Sequence, residues 1–345
     1  MTGHRPESAP TRASRTSAPL IRVRVVHAMT VPFTIQLVGA PDTPPDRLEA
    51  SADRAAARCK AWLDHVEAAF SPFRADSTVS RARRGDWSAL LTDPDFAEVH
   101  MLVKQAEQLT GGRFSAMHAG VYDPTGLVKG WAVERAHVRF LMPLIRSGEV
   151  AAAALGGGGD IQTAVAHDSD FVWRIGVDDP FAAHADGTGR HFPTLRTISL
   201  RDGAVATSGV SRRGEHITRA MHDLAQATVI DDRLTFADMW ATTALAAGER
   251  AFRDLLDRHG RGRVIAVLVH ADRSVTELPG SDRSNGPAGA DGQPTQSGGR
   301  VVPDSNGVVP SAGNIPLAGT VVRSPAASHQ QTSSPDREPS RSLAS

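Results

Sequence analysis

Short apolar runs come in groups along this chain with hairpin-like links and do not alternate strictly with helices. Ile21 to Ala28 and Val31 to Val38 stand around a two-residue turn. Further runs lie at Val150 to Leu155, Phe171 to Val177, Leu195 to Leu200, Ala225 to Ile230 and Val264 to Val269. Parallel strands need crossover connections of a dozen residues or more, so strands grouped in this way pair antiparallel. The helical patterns come between groups and do not alternate strictly with strands, which predicts an α+β fold rather than a doubly wound sheet.

Four patterns predict helices. Leu48, Ala52, Ala55, Cys59, Trp62, Val66 and Phe70 recur at spacings of three and four on one face, while Arg54, Arg58, Lys60 and Asp64 largely avoid it. A second helix is expected from about Asp95 to Leu109, stopped by Gly111-Gly112, and a third from Leu127 to Ile145. A fourth spans roughly Ala237 to Arg258, with a bend expected at Gly248.

Outside this unit the composition changes. Residues 276–345 are built of Gly, Pro, Ser, Asp, Asn and Gln without a sustained period, and residues 1–19 share that character. Such segments bury too little apolar surface to offset their ordering entropy, so both are expected to be disordered around a folded unit at 20–275. That length allows a single large core or two fused lobes.

Charge and cysteine content narrow the function classes. The 38 Lys+Arg equal the 38 Asp+Glu, which gives no broad basic footprint for nucleic acid. The hydrophobic fraction of 40% speaks against membrane insertion. Cys59 is the single cysteine, so there is no internal disulfide, and no Cys/His spacing suits zinc. The first twenty residues hold no apolar run of seven or more, so neither a signal peptide nor a lipid-anchor cysteine is read there, and a cytoplasmic protein is expected.

Four stretches carry chemistry-bearing residues. Gly156 to Gly159, followed by Asp160, permit close backbone approach of a ligand or simply a tight turn. They match neither GxGxxG, which would need glycine at Ile161, nor a phosphate loop with its lysine. Asp123-Pro124-Thr125-Gly126-Leu127-Val128-Lys129-Gly130 opens a helix. Asp123 suits an amino-terminal cap, Thr125 and Gly126 could offer oxygens to a cation, and Lys129 could meet an anion. Asp238 and Thr242 are four apart on a helix, one face and one turn from each other, and together could hold one Mg²⁺ that keeps waters and takes substrate phosphates. Thr207-Ser208-Gly209 could bind phosphate. His216 and His222 have a spacing that suits no zinc clip, and no nucleophile elbow supports a serine triad.

In chain order these segments resemble the ApbE-type FAD:protein FMN transferases. FSPFRADSTVSR (Phe70 to Arg81) is similar to the family's paired-serine segment, and DPTGLVKGWAVERA (Asp123 to Ala136) to its DPxGxxKGxAVD signature. LGGGGDI (Leu155 to Ile161) resembles its glycine turn, and WRIGVDDP (Trp173 to Pro180) its strand with an Asp-Pro exit. AVATSG (Ala204 to Gly209) resembles its TSG loop, and ADMWATTAL (Ala237 to Leu245) its ADALATAL helix. The resemblance implies two fused α/β lobes of mixed, largely antiparallel sheets with helices packed on them and FAD in the cleft between. It implies Mg²⁺ held by Gly126, Asp238 and Thr242, and FAD contacted by Ser77, Asp123, Lys129, Gly157, Gly158, Ser208 and Gly209. Asp238 and His216 take the catalytic roles, His216 as candidate base for the acceptor hydroxyl. The implied partner is a target flavoprotein whose Ser or Thr receives FMN as AMP leaves.

The chain also departs from the family pattern. Ser115 stands in Gly112-Arg113-Phe114-Ser115 where relatives carry Asp, and Val210-Ser211-Arg212-Arg213 replace a Tyr and an acid after TSG. Thr218 to Leu224 replaces a DPxTGxP loop. These losses leave three other readings: a paralogue that binds FAD without transferring it, an Mg²⁺-dependent FAD pyrophosphatase giving FMN and AMP, and a flavin-sensing scaffold.

Overall fold

A computed structural model of the chain describes residues 18–117, 120–182, 193–209, 220–259 and 264–279, together with the backbone of 314–316. Its frame is a sheet of eight strands. β1 (Ile21–Ala28) and β2 (Val31–Gly39) form the hairpin expected from the sequence. β3 (Val150–Gly157), β4 (Asp160–Val165), β7 (Gly203–Gly209), β8 (Leu224–Asp231), β9 (Ile265–His270) and β10 (Val275–Leu278) complete the order β1-β2-β3-β4-β7-β8-β9-β10. Every neighbouring pair in it is antiparallel. A smaller sheet pairs β5 (Trp173–Asp178) with β6 (Thr194–Leu200), and the backbone of β11 (Asn314–Pro316) lies parallel to β5.

The two sides of the large sheet are covered differently. α1 (Pro45–Phe70), α5 (Thr125–Ala136) and α7 (Leu234–Ala247) enclose the main core with Phe33, Ile35, Leu37, Ala153, Leu155, Ala204, Ala206 and Leu268. The alternate residues Val38, Ala152, Ala154, Val205 and Ile230 face Trp173, Ile175, Val177, Ile198 and Leu200 of the small sheet. A strand covered on both faces reads as a continuous apolar run, which is why Val150 to Leu155 showed no alternation. The α+β expectation is met, and the two lobes expected are carried on one continuous sheet.

Several elements differ from expectation. β4 escaped the sequence reading because Gln162 and Thr163 interrupt its apolar pattern. Both are buried and bonded, Gln162 Nε2 donating to the carbonyls of Gly203 (3.1 Å) and Asp232 (3.2 Å) and Thr163 Oγ1 to that of Gly203 (3.1 Å). The bend expected at Gly248 is a break: its φ of 79° ends α7, and α8 (Glu249–Arg258) begins anew. The folded unit also runs past residue 275, since Thr276, Glu277 and Leu278 pair with Leu268, Val267 and Ala266. After the short helices α2 (Thr78–Arg83) and α3 (Ala89–Thr92), α4 (Pro94–Thr110) ends as expected at Gly111, whose φ is 58°.

The helix expected over Leu127 to Ile145 is interrupted. A π-helical turn, His137–Leu141, separates α5 from α6 (Met142–Arg146), with the Met142 N–H reaching back to the His137 carbonyl. Pro143 has no N–H to continue an α ladder, and the wider turn absorbs that loss. His137 is buried there and its Nε2 donates to the Ala153 carbonyl at 3.3 Å. Burial pushes its pKa down to about 4 from 6.5, a shift the hydrogen bond only partly opposes. The unfolded chain therefore takes up a proton that the folded chain refuses. Stability is expected to fall as pH drops from about 6.5 toward 4, by on the order of 2 kcal/mol between pH 7 and pH 5. Urea midpoints at the two pH values check this, and His137→Gln should flatten the difference.

Candidate functional site

The amino end of α5, the β3–β4 turn, the end of β7 and the middle of α7 meet at one cavity of about 420 Å³. Opposite them stand the β1–β2 turn, the carboxy end of α1 and residues 71–73. The cavity's apolar wall is formed by Phe33, Val66, Phe70 and Val128, and its volume suits a cofactor-sized ligand.

Asp238 and Thr242 both face this cavity, as their spacing on one helix predicted. Thr242 Oγ1 lies 3.2 Å from Ser208 Oγ, so α7 and β7 bring two hydroxyls together beside the Asp238 carboxylate. Lys129 rises from α5 and pairs with Asp238 Oδ2 at 3.2 Å and with Asp160 Oδ2. Asp160 is fully buried, and its other oxygen accepts from Thr207 N–H at 3.0 Å. Among the described residues two carboxylates thus share one ammonium, and no other hydrogen-bond donor reaches either Oδ2.

That surplus negative charge, with two hydroxyls and the Gly126 backbone at the same wall, fits a hard divalent cation. Among the described residues no three His, Cys, Asp or Glu side chains converge as a closed metal cage. A sparse oxygen set is what Mg²⁺ uses when substrate phosphates complete its octahedron. The first turn of α5 adds the backbone N–H of Gly126, which favours an anion.

Asp123 also lines the cavity, but its carboxylate is already engaged. Oδ1 accepts from the Thr125 N–H (3.0 Å) and hydroxyl (2.6 Å), and Oδ2 pairs with Arg83 at 2.9 Å. Arg83, from α2 (Thr78–Arg83), also donates to the carbonyls of Tyr122 (2.7 Å) and Pro72 (3.3 Å), tying residues 71–73 to the start of α5. Asp123 therefore shapes the wall as a bonded turn residue.

Three expected site residues are placed elsewhere or not at all. Ser77 is buried and caps α2, accepting from Ser80 N–H at 3.0 Å and donating to the Ser71 carbonyl at 2.7 Å, so its hydroxyl is not offered to the cavity. Gly157 does not line the cavity either. A Cβ there would stand 2.3 Å from Phe33 Cδ1, so its missing side chain makes room for a core ring. Gly158 and Gly159, at φ of 63° and 98°, form the turn that does reach the cavity, alongside Ser208 and Gly209. His216 lies outside the described residues. Ser115, at the position of the family's Asp, donates to Glu107 at 2.5 Å and is not on the cavity wall.

Gly157→Ala is accordingly expected to destabilise the protein by about 1–3 kcal/mol through overpacking. Urea denaturation measures it, and adding Phe33→Leu should recover part of the loss.

Other wall residues were not named as site residues from the sequence. Phe73 is 96% exposed at the cavity wall, an aromatic face left open to a flat ring. Met29 and Thr30 turn the β1–β2 hairpin with φ of 48° and 62°, a left-handed pair without glycine, and Glu67 holds the turn by accepting from Met29 N–H at 2.7 Å.

Residues 120–267 match the model of the ApbE family. The fold is similar to the flavin transferase ApbE from Vibrio cholerae, at 17% identity and TM-score 0.56 over 76% of this chain and 98% of that one. It is similar to the ApbE protein from Thermotoga maritima, at 17% identity and TM-score 0.58 over 75% and 97%. A third likeness is to the flavinyl transferase ApbE from Pseudomonas stutzeri in its apo form, at 16% identity and TM-score 0.54 over 76% and 96%. No curated protein sequence matches the chain. These findings bear out the resemblance to the ApbE family, and at such identities the structural likeness speaks for the fold.

Proposed function

We propose that the protein is an FAD:protein FMN transferase that moves FMN from FAD onto a Ser or Thr hydroxyl of a target flavoprotein and releases AMP. The observation that carries this reading is the pair of carboxylates, Asp160 and Asp238, sharing one lysine beside an apolar cavity that ends at a helix amino terminus. An acidic wall alone would repel a pyrophosphate; with a cation the same wall becomes its seat.

The residues divide the work. Phe73 offers exposed aromatic surface to the flavin ring, and Met29, Val31 and Pro72 add half-buried apolar surface. The α5 amino terminus and Lys129 face the phosphates, while Gly158, Gly159 and Ser208 let backbone and hydroxyl come close. Asp238, Thr242 and Gly126 would hold Mg²⁺, which when bound neutralises charge on the pyrophosphate and its leaving oxygen. In the transfer, the acceptor oxygen forms a bond to the FMN-side phosphorus, the bond from that phosphorus to the bridging oxygen breaks, and AMP departs. The hydroxyl proton goes to a base, a role the family resemblance gives to His216 and one worth about 10²–10⁴ in rate. Among the described residues no helix is long and apolar enough to cross a membrane.

The test is to incubate the protein with FAD, Mg²⁺ and an acceptor domain and read acceptor mass together with AMP and FMN. An acceptor heavier by one FMN, with AMP released, is the expected result. AMP with free FMN and no adduct would make the protein an FAD pyrophosphatase, and FAD binding without AMP would make it a flavin binder.

A further inference from the structure

Lys129 is committed to two partners at once, and only one of them is on the cavity wall. Asp238 lines the cavity; Asp160 is sealed behind it, anchored through Thr207 N–H at the end of β7. A cation that takes Asp238 Oδ2 has to displace the ammonium that sits 3.2 Å from that oxygen. We infer that Asp160 is a positioning residue that retains Lys129 when Asp238 is released to the cation. This inference rests on the cation reading of the site and goes beyond it by giving a role to a residue that touches neither cation nor flavin.

The argument is one of charge counting. Before the exchange, two buried carboxylates hold one ammonium; afterwards Asp160 and Lys129 remain as a balanced pair and Asp238 faces the cation. Without a carboxylate at 160, freeing Asp238 would strand Lys129 in a largely buried place, where an unpaired charge is costly. Lys129 would then compete with the cation for Asp238. The retained pair also leaves the lysine's position fixed relative to β7, whose Ser208 shares the site.

The experiment measures Mn²⁺ binding to the full chain by paramagnetic resonance, without FAD, in four forms: wild type, Asp160→Asn, Lys129→Met and the double variant. Asp160→Asn keeps an acceptor for Thr207 N–H. It is expected to weaken Mn²⁺ binding by at least about tenfold in the Lys129 background and by less than about twofold in the Lys129→Met background, a coupling between the two residues. An equal loss in both backgrounds would show that Asp160 acts only as a remote negative charge, and would overturn the inference while leaving the cation site standing. No Mn²⁺ binding by the wild type would overturn the cation reading itself and this inference with it. Should Asp160→Asn fail to fold, a crystal structure of the wild type with Mn²⁺ decides. Lys129 Nζ on Asp160 and parted from Asp238 supports the inference; Lys129 still on Asp238, or parted from Asp160, refutes it.

Discussion

Asp238→Asn is expected to lower flavin transfer by about 10²–10³-fold or more while leaving the thermal midpoint unchanged or slightly raised. The two readouts move apart because of how the carboxylate is held. Asp238 is nearly buried, and together with Asp160 it overloads a single ammonium with negative charge. Replacing it by a neutral amide leaves Lys129 paired with Asp160 and removes a buried excess charge, so folding loses nothing. On the proposed function, the reaction loses its cation ligand at the same stroke. A midpoint that falls by several degrees together with activity would assign Asp238 a structural role and sink the functional one. Titration of turnover against Mg²⁺ sharpens the test, since the variant should need far more cation for whatever activity remains.

Gly130→Ala is expected to cost both stability and activity, against what helix propensity alone would say. Alanine in a helix interior gains about 1 kcal/mol over glycine. At this position, however, a Cβ would stand 2.9 Å from the Leu234 carbonyl oxygen, 3.1 Å from Asp238 Cβ and 3.2 Å from Asp238 Oδ2. The first obstacle is backbone and cannot rotate away, so α7 has to retreat from α5. Overpacking of this kind costs about 1–3 kcal/mol, which outweighs the propensity gain, at about 2–4 °C of midpoint per kcal/mol. Because the shifted helix carries Asp238 and Thr242, transfer is expected to fall by up to about 10²-fold, as misplacements of this size do. Calorimetry and initial rates read both effects, and an unchanged midpoint would show that α7 is not pinned at Gly130.

Pinning of α7 is a tertiary matter, and it marks where the sequence stopped being legible. Asp238 and Thr242 could be put on one face from their spacing, and the antiparallel hairpins from their short links. Nothing local shows that the first turn of α7 is capped from two other elements. Glu134 accepts from Thr235 N–H (3.1 Å) and its hydroxyl (2.6 Å), and Gln162 Oε1 accepts from Leu234 N–H (2.9 Å). Asp160 was visible only as the residue after four glycines, because its partners Lys129 and Thr207 come from distant segments. Ser77 and Gly157 were misplaced for the opposite reason. Their residue types suit a binding loop, yet the hydroxyl is spent on a helix cap and the missing Cβ on a phenylalanine ring. Phe73 and the Met29-Thr30 turn carry no periodic signal at all, and only the fold brings them to the cavity.

The continuous sheet also sets an order of events during synthesis. β2 pairs with β3, yet every residue from α1 through α6 lies between them in the chain. The first hairpin to leave the ribosome therefore holds one open edge until Val150 to Gly157 have emerged, a wait of several seconds at roughly 5–20 residues per second. During that wait the apolar face of β2 can be covered by helices such as α1, but its free edge has no strand to pair with. An edge left unpaired for that long is a template for mispairing while the chain is being made.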